Sequence, residues 1–155
     1  MPPENSANSG SASTEIRILA LDVGEKRIGV AVSDPLGFTA QGIEVLTRRT
    51  VEEDLRRLGA VAQKYGVQEI VVGYPRHLDG RPGQLAEAIL ALAQALGQAL
   101  GGIPVIPWDE RLTTREAERV LIEADLSRRR RRQVVDQVAA VLILQAYLDQ
   151  RRNLA

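Results

Sequence analysis

IRILALDVG, residues Ile16 to Gly24, is the stretch that decides the fold of this chain. An apolar run of this kind is typical of a buried central strand. Asp22 stands at the carboxyl end of that strand, where α/β sheets bind their ligands. Gly24 and Gly29 would let a phosphate-bearing ligand approach the backbone closely. Asp22 is therefore a candidate site residue, although capping of a turn explains the same residue equally well.

Hydrophobic periodicity and turn residues extend this reading along the chain. They predict strands at Ile16–Val23, Ile28–Ser33, Gln41–Thr47, Glu69–Gly73 and Ile103–Trp108, and helices at Thr50–Tyr65, Gln84–Leu100, Thr113–Ala124 and Gln133–Gln150. Asp34 to Gly37 predicts a turn and Gly66 a helix stop. The order βββ-α-β-α-β-α-α predicts an α/β fold with a mixed five-stranded sheet flanked by helices. Its first three strands are antiparallel, and the last two extend the sheet parallel to the first.

Length and composition limit the function. At 155 residues the chain is expected to form one domain over residues 15–150, with a disordered tail at 1–14 and a short tail at 151–155. No secretory signal or membrane span is visible in the sequence. With no cysteine and a single histidine, His77, a metal ion would be held by carboxylates, which favours Mg²⁺ or Mn²⁺. The 20 basic and 20 acidic residues argue against a protein that coats DNA non-specifically.

Two further acids follow the pattern of Asp22. Asp109 and Glu110 come directly after a predicted strand, and Glu110 is the better candidate because it lies nearer the next helix. Asp136 begins an apolar stripe of the last predicted helix, where an unpaired carboxylate would be costly to bury. Each acid taken alone is also explained by stabilisation at a helix N-terminus.

The three acids carry more weight together. If Asp22, Glu110 and Asp136 meet at one edge of the sheet, their mutual repulsion calls for divalent cations. Two such ions can clamp the water and the leaving oxygen of a phosphodiester. The block Arg128 to Arg132 would hold flanking phosphates, although such blocks are more often solvated surface.

A loop at residues 73–83, between a strand and a helix N-terminus, is also placed to bind phosphate. It contains Arg76 and Arg81, and no Gly-Lys-Ser/Thr sequence of a P-loop occurs in the chain. An ordinary surface loop explains these residues equally well.

Five ordered motifs resemble the YqgF/RuvX family: DVGEKRIGVA from Asp22, SDPLG from Ser33, VGYP from Val72 with Asp79-Gly80, DERLTT from Asp109 and VDQVAAVLIL from Val135. The resemblance covers about Ile16 to Leu148. It implies a ribonuclease-H-like fold, with Asp22, Glu110 and Asp136 as catalytic, metal-binding acids. It also implies a bacterial cytoplasmic enzyme that processes the 5′ end of pre-16S rRNA or resolves Holliday junctions. Tyr74 and His77 differ from the residues expected at those positions.

The leading hypothesis is thus a metal-dependent nuclease that acts on structured RNA or branched DNA. The residues expected to contact nucleic acid are Lys26, Arg27, Arg76, Arg81, Arg111, Arg128, Arg129, Arg130, Arg131 and Arg132. A junction resolvase needs two active sites, so that alternative predicts a homodimer. A second alternative is a factor in transcription or ribosome assembly that binds nucleic acid without cutting it. An actin-like sugar kinase starts with a similar strand pair, but it needs a duplicated domain and a longer chain.

Overall fold

The computed structural model describes residues 16–74, 84–109 and 128–154, with side chains except at 74, 84, 128–136 and 154. The strands are β1 (Ile18–Val23), β2 (Arg27–Ser33), β3 (Ala40–Thr47), β4 (Glu69–Tyr74) and β5 (Val105–Asp109). The helices are α1 (Val51–Tyr65), α2 (Gln84–Ala99) and α3 (Arg128–Leu154). The predicted tail at 1–14 and the predicted helix Thr113–Ala124 lie outside the described residues.

The five strands form one mixed sheet in the order β3-β2-β1-β4-β5. β1 pairs with β2, and β2 with β3, in antiparallel register. β4 pairs in parallel with β1 on one side and with β5 on the other. The predicted mixed five-stranded sheet is therefore confirmed, with β1 at its centre.

Alternate residues of β1 pack on opposite faces of the sheet, as the geometry of a strand requires. Leu19, Leu21 and Val23 join the core cluster beneath α1 and α2, whose helical members include Leu58, Ala62, Ile89 and Leu96. Ile18 and Ala20 join the cluster beneath α3, formed with Ala140, Ile143, Leu144 and Leu148. The fold therefore has three layers, with the sheet between α1 and α2 on one face and α3 on the other.

Two local sequence patterns fold as predicted. The turn after β2 begins at Asp34, whose Oδ1 accepts hydrogen bonds from the amides of Phe38 and Thr39 at 2.7 and 2.8 Å. Helix α1 ends at Gly66, which adopts the left-handed conformation with φ 64°. Both features depend only on neighbouring residues, which is why the sequence predicts them well.

The last helix is longer than predicted at both ends. It was expected to cover Gln133–Gln150, but α3 runs from Arg128 to Leu154 and includes four residues of the predicted C-terminal tail. Arginine is a good helix former, and no Gly or Pro interrupts the sequence before Gln133. Arg151 and Arg152 lie in its last turn, where cations favour the helix dipole. No helix in the described ranges is long and apolar enough to cross a membrane.

Candidate active site

Asp22 lies on the α3 face of the sheet, near the carboxyl end of β1. Ile18 and Ala20 pack beneath α3, and strand alternation places Asp22 on the same face. Unlike these two neighbours, Asp22 is only partly buried. A carboxylate on the central strand is thus accessible at the edge where ligands bind in α/β sheets.

The residues beside Asp22 on both adjacent strands are glycines. Asp22 pairs with Gly29 of β2 and with Gly73 of β4. Paired residues point their side chains to the same face of a sheet, so neither neighbour has a side chain next to the carboxylate. This row of the sheet therefore offers lateral space around Asp22. Beyond Gly73 the row continues to Trp108 of β5.

The position of α3 over the sheet is fixed first by a close contact with β3. A Cβ added at Gly42 would come within 2.7 Å of Cγ of Gln137, so the absence of a side chain allows the helix to approach. Through β2, Gly42 lies in line with Ala20 of β1. The first part of α3 therefore crosses the sheet close to the Asp22 row.

A second contact fixes the direction of α3. Further along the helix, the hydroxyl of Tyr147 donates a hydrogen bond to the carboxylate of Glu69. Glu69 is the first residue of β4 and pairs with Ile18, the first residue of β1. Helix α3 thus runs from the carboxyl end of β1 toward its amino end. Position 136, one turn before the buried Ala140, therefore lies toward the Asp22 end of the sheet.

The same geometry places the backbone of the arginine block. Residues 128–132 precede Gln137 in a continuous helix, so at 1.5 Å per residue they extend about 8 to 14 Å beyond it. The backbone of this stretch therefore extends toward the end of the sheet at which Asp22 lies. The side chains of Arg128–Arg132 and Asp136 lie outside the described residues.

At the end of β5, strand alternation separates the two adjacent residues Trp108 and Asp109. Trp108 packs against the cluster beneath α3, with its ring 6.1 Å from that of Tyr147 at 84°. Asp109 therefore belongs to the opposite face of the sheet. The choice of Glu110 over Asp109 as the site acid stays a prediction. Glu110 itself lies outside the described residues, as do Arg76, Arg81 and Arg111.

Among the residues whose side chains are described, no group of three His, Cys, Asp or Glu is close enough to hold a metal ion. Of the three predicted acids, only the Asp22 side chain is described. What this part of the structure offers to a metal is one partly exposed carboxylate between two glycines, a hard oxygen donor that fits Mg²⁺ or Mn²⁺.

The turn from β1 to β2 begins after Val23, and two of the predicted phosphate contacts, Lys26 and Arg27, lie at its end. It is closed by a hydrogen bond from the Gly24 amide to the Arg27 carbonyl at 2.8 Å. The Lys26 side chain is exposed and that of Arg27 partly buried. Two cationic residues therefore lie at the end of the strand pair that carries Asp22.

A buried charge cluster behind this turn was missed by the sequence analysis. Asp54 of α1 is fully buried, and its carboxylate contacts Arg48 Nε at 3.2 Å and Arg57 Nη2 at 2.6 Å. It also accepts a hydrogen bond from the Arg49 amide at 3.0 Å. An acid in the first turn of a helix usually faces water, so no local pattern distinguishes a buried one.

The pKa of Asp54 is set by opposing effects. Burial raises the pKa of this carboxyl, but hydrogen bonds from the Arg49 amide and from the Arg57 and Arg48 guanidinium groups lower it more. The net result is a pKa below the ordinary value of 3.8, so Asp54 is ionised at neutral pH.

The sheet order and the antiparallel β1-β2-β3 unit, with helices on both faces of the sheet, define a ribonuclease-H-like α/β fold. Two solved structures share this fold. They are T. thermophilus RuvC in complex with a Holliday junction substrate (TM-score 0.59, 14% identity, 90% of this chain and 98% of that one) and the fowlpox virus Holliday junction resolvase (TM-score 0.53, 14% identity, 90% and 100%).

The chain belongs to the RuvX family, which is described as Holliday junction resolvase. The sequence model of this family matches residues 16–150. A relative from Moorella thermoacetica is 60% identical over 134 residues, covering 86% of this chain and 95% of its own length. One from Symbiobacterium thermophilum is 56% identical over 136 residues, covering 88% and 94%. Both carry the name "Putative pre-16S rRNA nuclease". The predicted family, fold and nuclease class are thereby confirmed.

Proposed function

We propose that this chain hydrolyses phosphodiester bonds at the 5′ end of the 16S rRNA precursor, in the cytoplasm and with a divalent metal ion. The observation that carries the proposal is the direction of α3. The helix starts at the carboxyl end of β1, so position 136 and Asp22 share one face and one end of the sheet. The substrate is proposed from the names of the relatives.

The acids that would hold one or two metal ions are Asp22, Glu110 and Asp136, since carboxylate oxygens are the ligands that Mg²⁺ and Mn²⁺ prefer. When bound, such ions lower the pKa of a water molecule and neutralise charge on the phosphodiester. No other residue type in the chain competes for this role, because it has no cysteine and one histidine.

The chain's own residues would bind and orient the substrate. Gly29 and Gly73 leave room beside Asp22 for the scissile phosphate and its neighbours. Lys26 and Arg27 would neutralise phosphates on one side of the site, and the helical block Arg128–Arg132 those on the other. Such phosphate contacts would position the nucleic-acid strand without reading its base sequence.

The test compares cleavage by the wild type and by Asp22→Asn. The substrates are labelled RNA spanning the precursor 5′ end, unrelated RNA hairpins and four-way DNA junctions, each with Mg²⁺ or Mn²⁺. We expect wild-type cleavage of the precursor and none by Asp22→Asn, with binding retained. Asp149→Asn is the matched control, because it removes the same charge at the far end of α3, where Asp149 pairs with Arg152. Binding without cleavage by the wild type would contradict the proposal in favour of a non-cutting factor.

Metal binding can be measured without catalysis, because Trp108 is the single tryptophan of the chain. It lies two strands from Asp22, about 10 Å at the usual strand spacing. Terbium bound at the acids is therefore expected to show luminescence sensitised by Trp108. Asp22→Asn is expected to weaken this binding and Asp149→Asn to leave it unchanged. Equal terbium affinity of the wild type and Asp22→Asn would contradict the assignment of Asp22.

The family description favours a second candidate, resolution of Holliday junctions. The same substrate panel separates the two functions. Preferred, paired cleavage of the four-way junction by a homodimer would support the resolvase, and cleavage of the RNA by a monomer the proposed processing role.

A further inference from the structure

We propose that Arg48 is a positioning residue for the site: it holds the turn between β1 and β2, with Lys26 and Arg27, in place beside Asp22. This inference rests on the proposed function. It assigns Arg48 a role that acts through the turn and not through contact with the substrate. Arg48 follows the end of β3, on the side of β2 away from β1.

Arg48 contacts the turn through both its main chain and its side chain. Its amide donates to the Lys26 carbonyl at 2.8 Å, and its Nη1 donates to the Gly24 carbonyl at 3.2 Å. These bonds engage the carbonyls at two positions of a turn that is otherwise closed by the bond from Gly24 to Arg27. Arg48 therefore restrains the backbone that carries the cationic side chains.

The guanidinium of Arg48 is itself held in place by Asp54. Its Nε lies 3.2 Å from the buried carboxylate, which leaves Nη1 directed at Gly24. The planar, forked guanidinium makes both contacts at once, whereas a lysine ammonium is a single point charge. The turn is thereby connected to the first turn of α1. Such preorganisation favours binding of nucleic acid, because the entropy cost of ordering the turn is already met in the free protein.

Arg57 provides a matched control within the same cluster. Its side chain is 24% exposed and that of Arg48 is 22% exposed, and both pair with Asp54. The second bond of Arg57 goes to the Thr47 carbonyl at 2.7 Å and not to the turn. Both bonds of Arg57 come from Nη2, so a single ammonium can make them, whereas the two bonds of Arg48 come from Nε and Nη1. Arg48→Lys and Arg57→Lys therefore each keep a cation for Asp54, but only Arg48→Lys removes a forked contact and releases the Gly24 carbonyl.

The first measurement is amide hydrogen exchange of the free proteins, without metal or nucleic acid. The Gly24 amide donates to the Arg27 carbonyl, so its exchange reports opening of the turn. Loss of the hydrogen bond from the charged Arg48 side chain predicts about tenfold faster exchange of this amide in Arg48→Lys. In Arg57→Lys the exchange is expected to change by less than about twofold. Equal exchange at Gly24 in both variants would overturn the proposal.

The second measurement is the affinity for a labelled precursor RNA hairpin. We expect about tenfold weaker binding by Arg48→Lys and an unchanged affinity for Arg57→Lys. Faster exchange at Gly24 with unchanged affinity would make Arg48 a purely structural residue and would also overturn the proposal. Hydrogen exchange is measured without catalysis. A wild type that cleaves no substrate would therefore contradict the proposed nuclease function but not the exchange result for Arg48.

Discussion

Replacing Asp54 by Asn is expected to destabilise the fold although both side chains have the same shape. The carboxylate is fully buried and accepts hydrogen bonds from Arg57, the Arg49 amide and Arg48 at 2.6, 3.0 and 3.2 Å. In Asn, an NH2 group replaces one of the two carboxylate oxygens. This NH2 group is a donor and would face the N–H donors of a guanidinium, so neither donor would have an acceptor. The substitution therefore breaks at least one of the two arginine contacts.

The free energy can be estimated from these contacts. A hydrogen bond to a charged group contributes about 1.5 to 3 kcal/mol, and breaking a buried ion pair costs about 3 to 5 kcal/mol. The two arginines are 22% and 24% exposed, so water can solvate them in part, which favours the lower end of that range. We expect a loss of about 3 kcal/mol, or about 6 to 12 °C in Tm for a chain of this size.

The effect of Asp54→Asn also depends on pH. The folded-state pKa of Asp54 lies below the ordinary 3.8, so its ionisation contributes stability that is fully present above that value. This contribution is lost as the pH falls through the folded-state pKa. The difference between the wild type and Asp54→Asn is therefore constant near neutral pH and shrinks below about pH 4.

Urea unfolding followed by far-ultraviolet circular dichroism, at neutral pH and at several acidic values, measures this difference. Glu52→Gln is the control, because Glu52 lies in the same first turn of α1 but is exposed. It reports the helix dipole alone, about 0.3 to 1 kcal/mol. If Asp54→Asn cost no more than Glu52→Gln, or if its cost did not shrink in acid, the account of the buried cluster would be refuted.

Two further predictions concern the helix ends and the packing of α3. Gly66→Ala is expected to cost about 1 kcal/mol, because its φ of 64° strains any residue with a Cβ. Gly59→Ala, inside α1 with nothing near an added Cβ, is expected to raise the Tm in the same thermal unfolding experiment. Equal shifts from both glycines would contradict this. Burial, followed by the hydrogen bond to Glu69, raises the pKa of Tyr147 from 10.0 to about 12. Because the neutral phenol is favoured in the folded state, its contribution to stability is lost between those two values as the pH rises, and Tyr147→Phe is expected to lack this alkaline loss. Urea titrations across that pH range measure it, and an identical alkaline loss in both proteins would rule out the role of Tyr147.

The sequence by itself determined the elements and their order. The apolar run ending at Asp22 predicted the central strand, and the residues around Asp34 and Gly66 predicted a turn and a helix end. These features depend on side-chain periodicity and on backbone preferences within a few residues, so they can be read locally. The same patterns, with the resemblance, singled out Asp22 and predicted the family.

The tertiary structure alone decided where the elements meet. Nothing near Gln137 in the sequence reveals that it packs on Gly42, or that Tyr147 reaches Glu69, yet these two contacts set the direction of α3 across the sheet. The burial of Asp54 was equally hidden. The groups that compensate its charge lie just before α1 and in α1 itself, but only the assembled fold excludes water from this carboxylate. The contacts of Gln137 and Tyr147 join residues far apart in the chain, and the free energy of both kinds of contact depends on the assembled fold. The sequence thus predicted Asp22 as a candidate site residue, while its place on the central strand, on the face of the sheet that α3 covers, came only with folding.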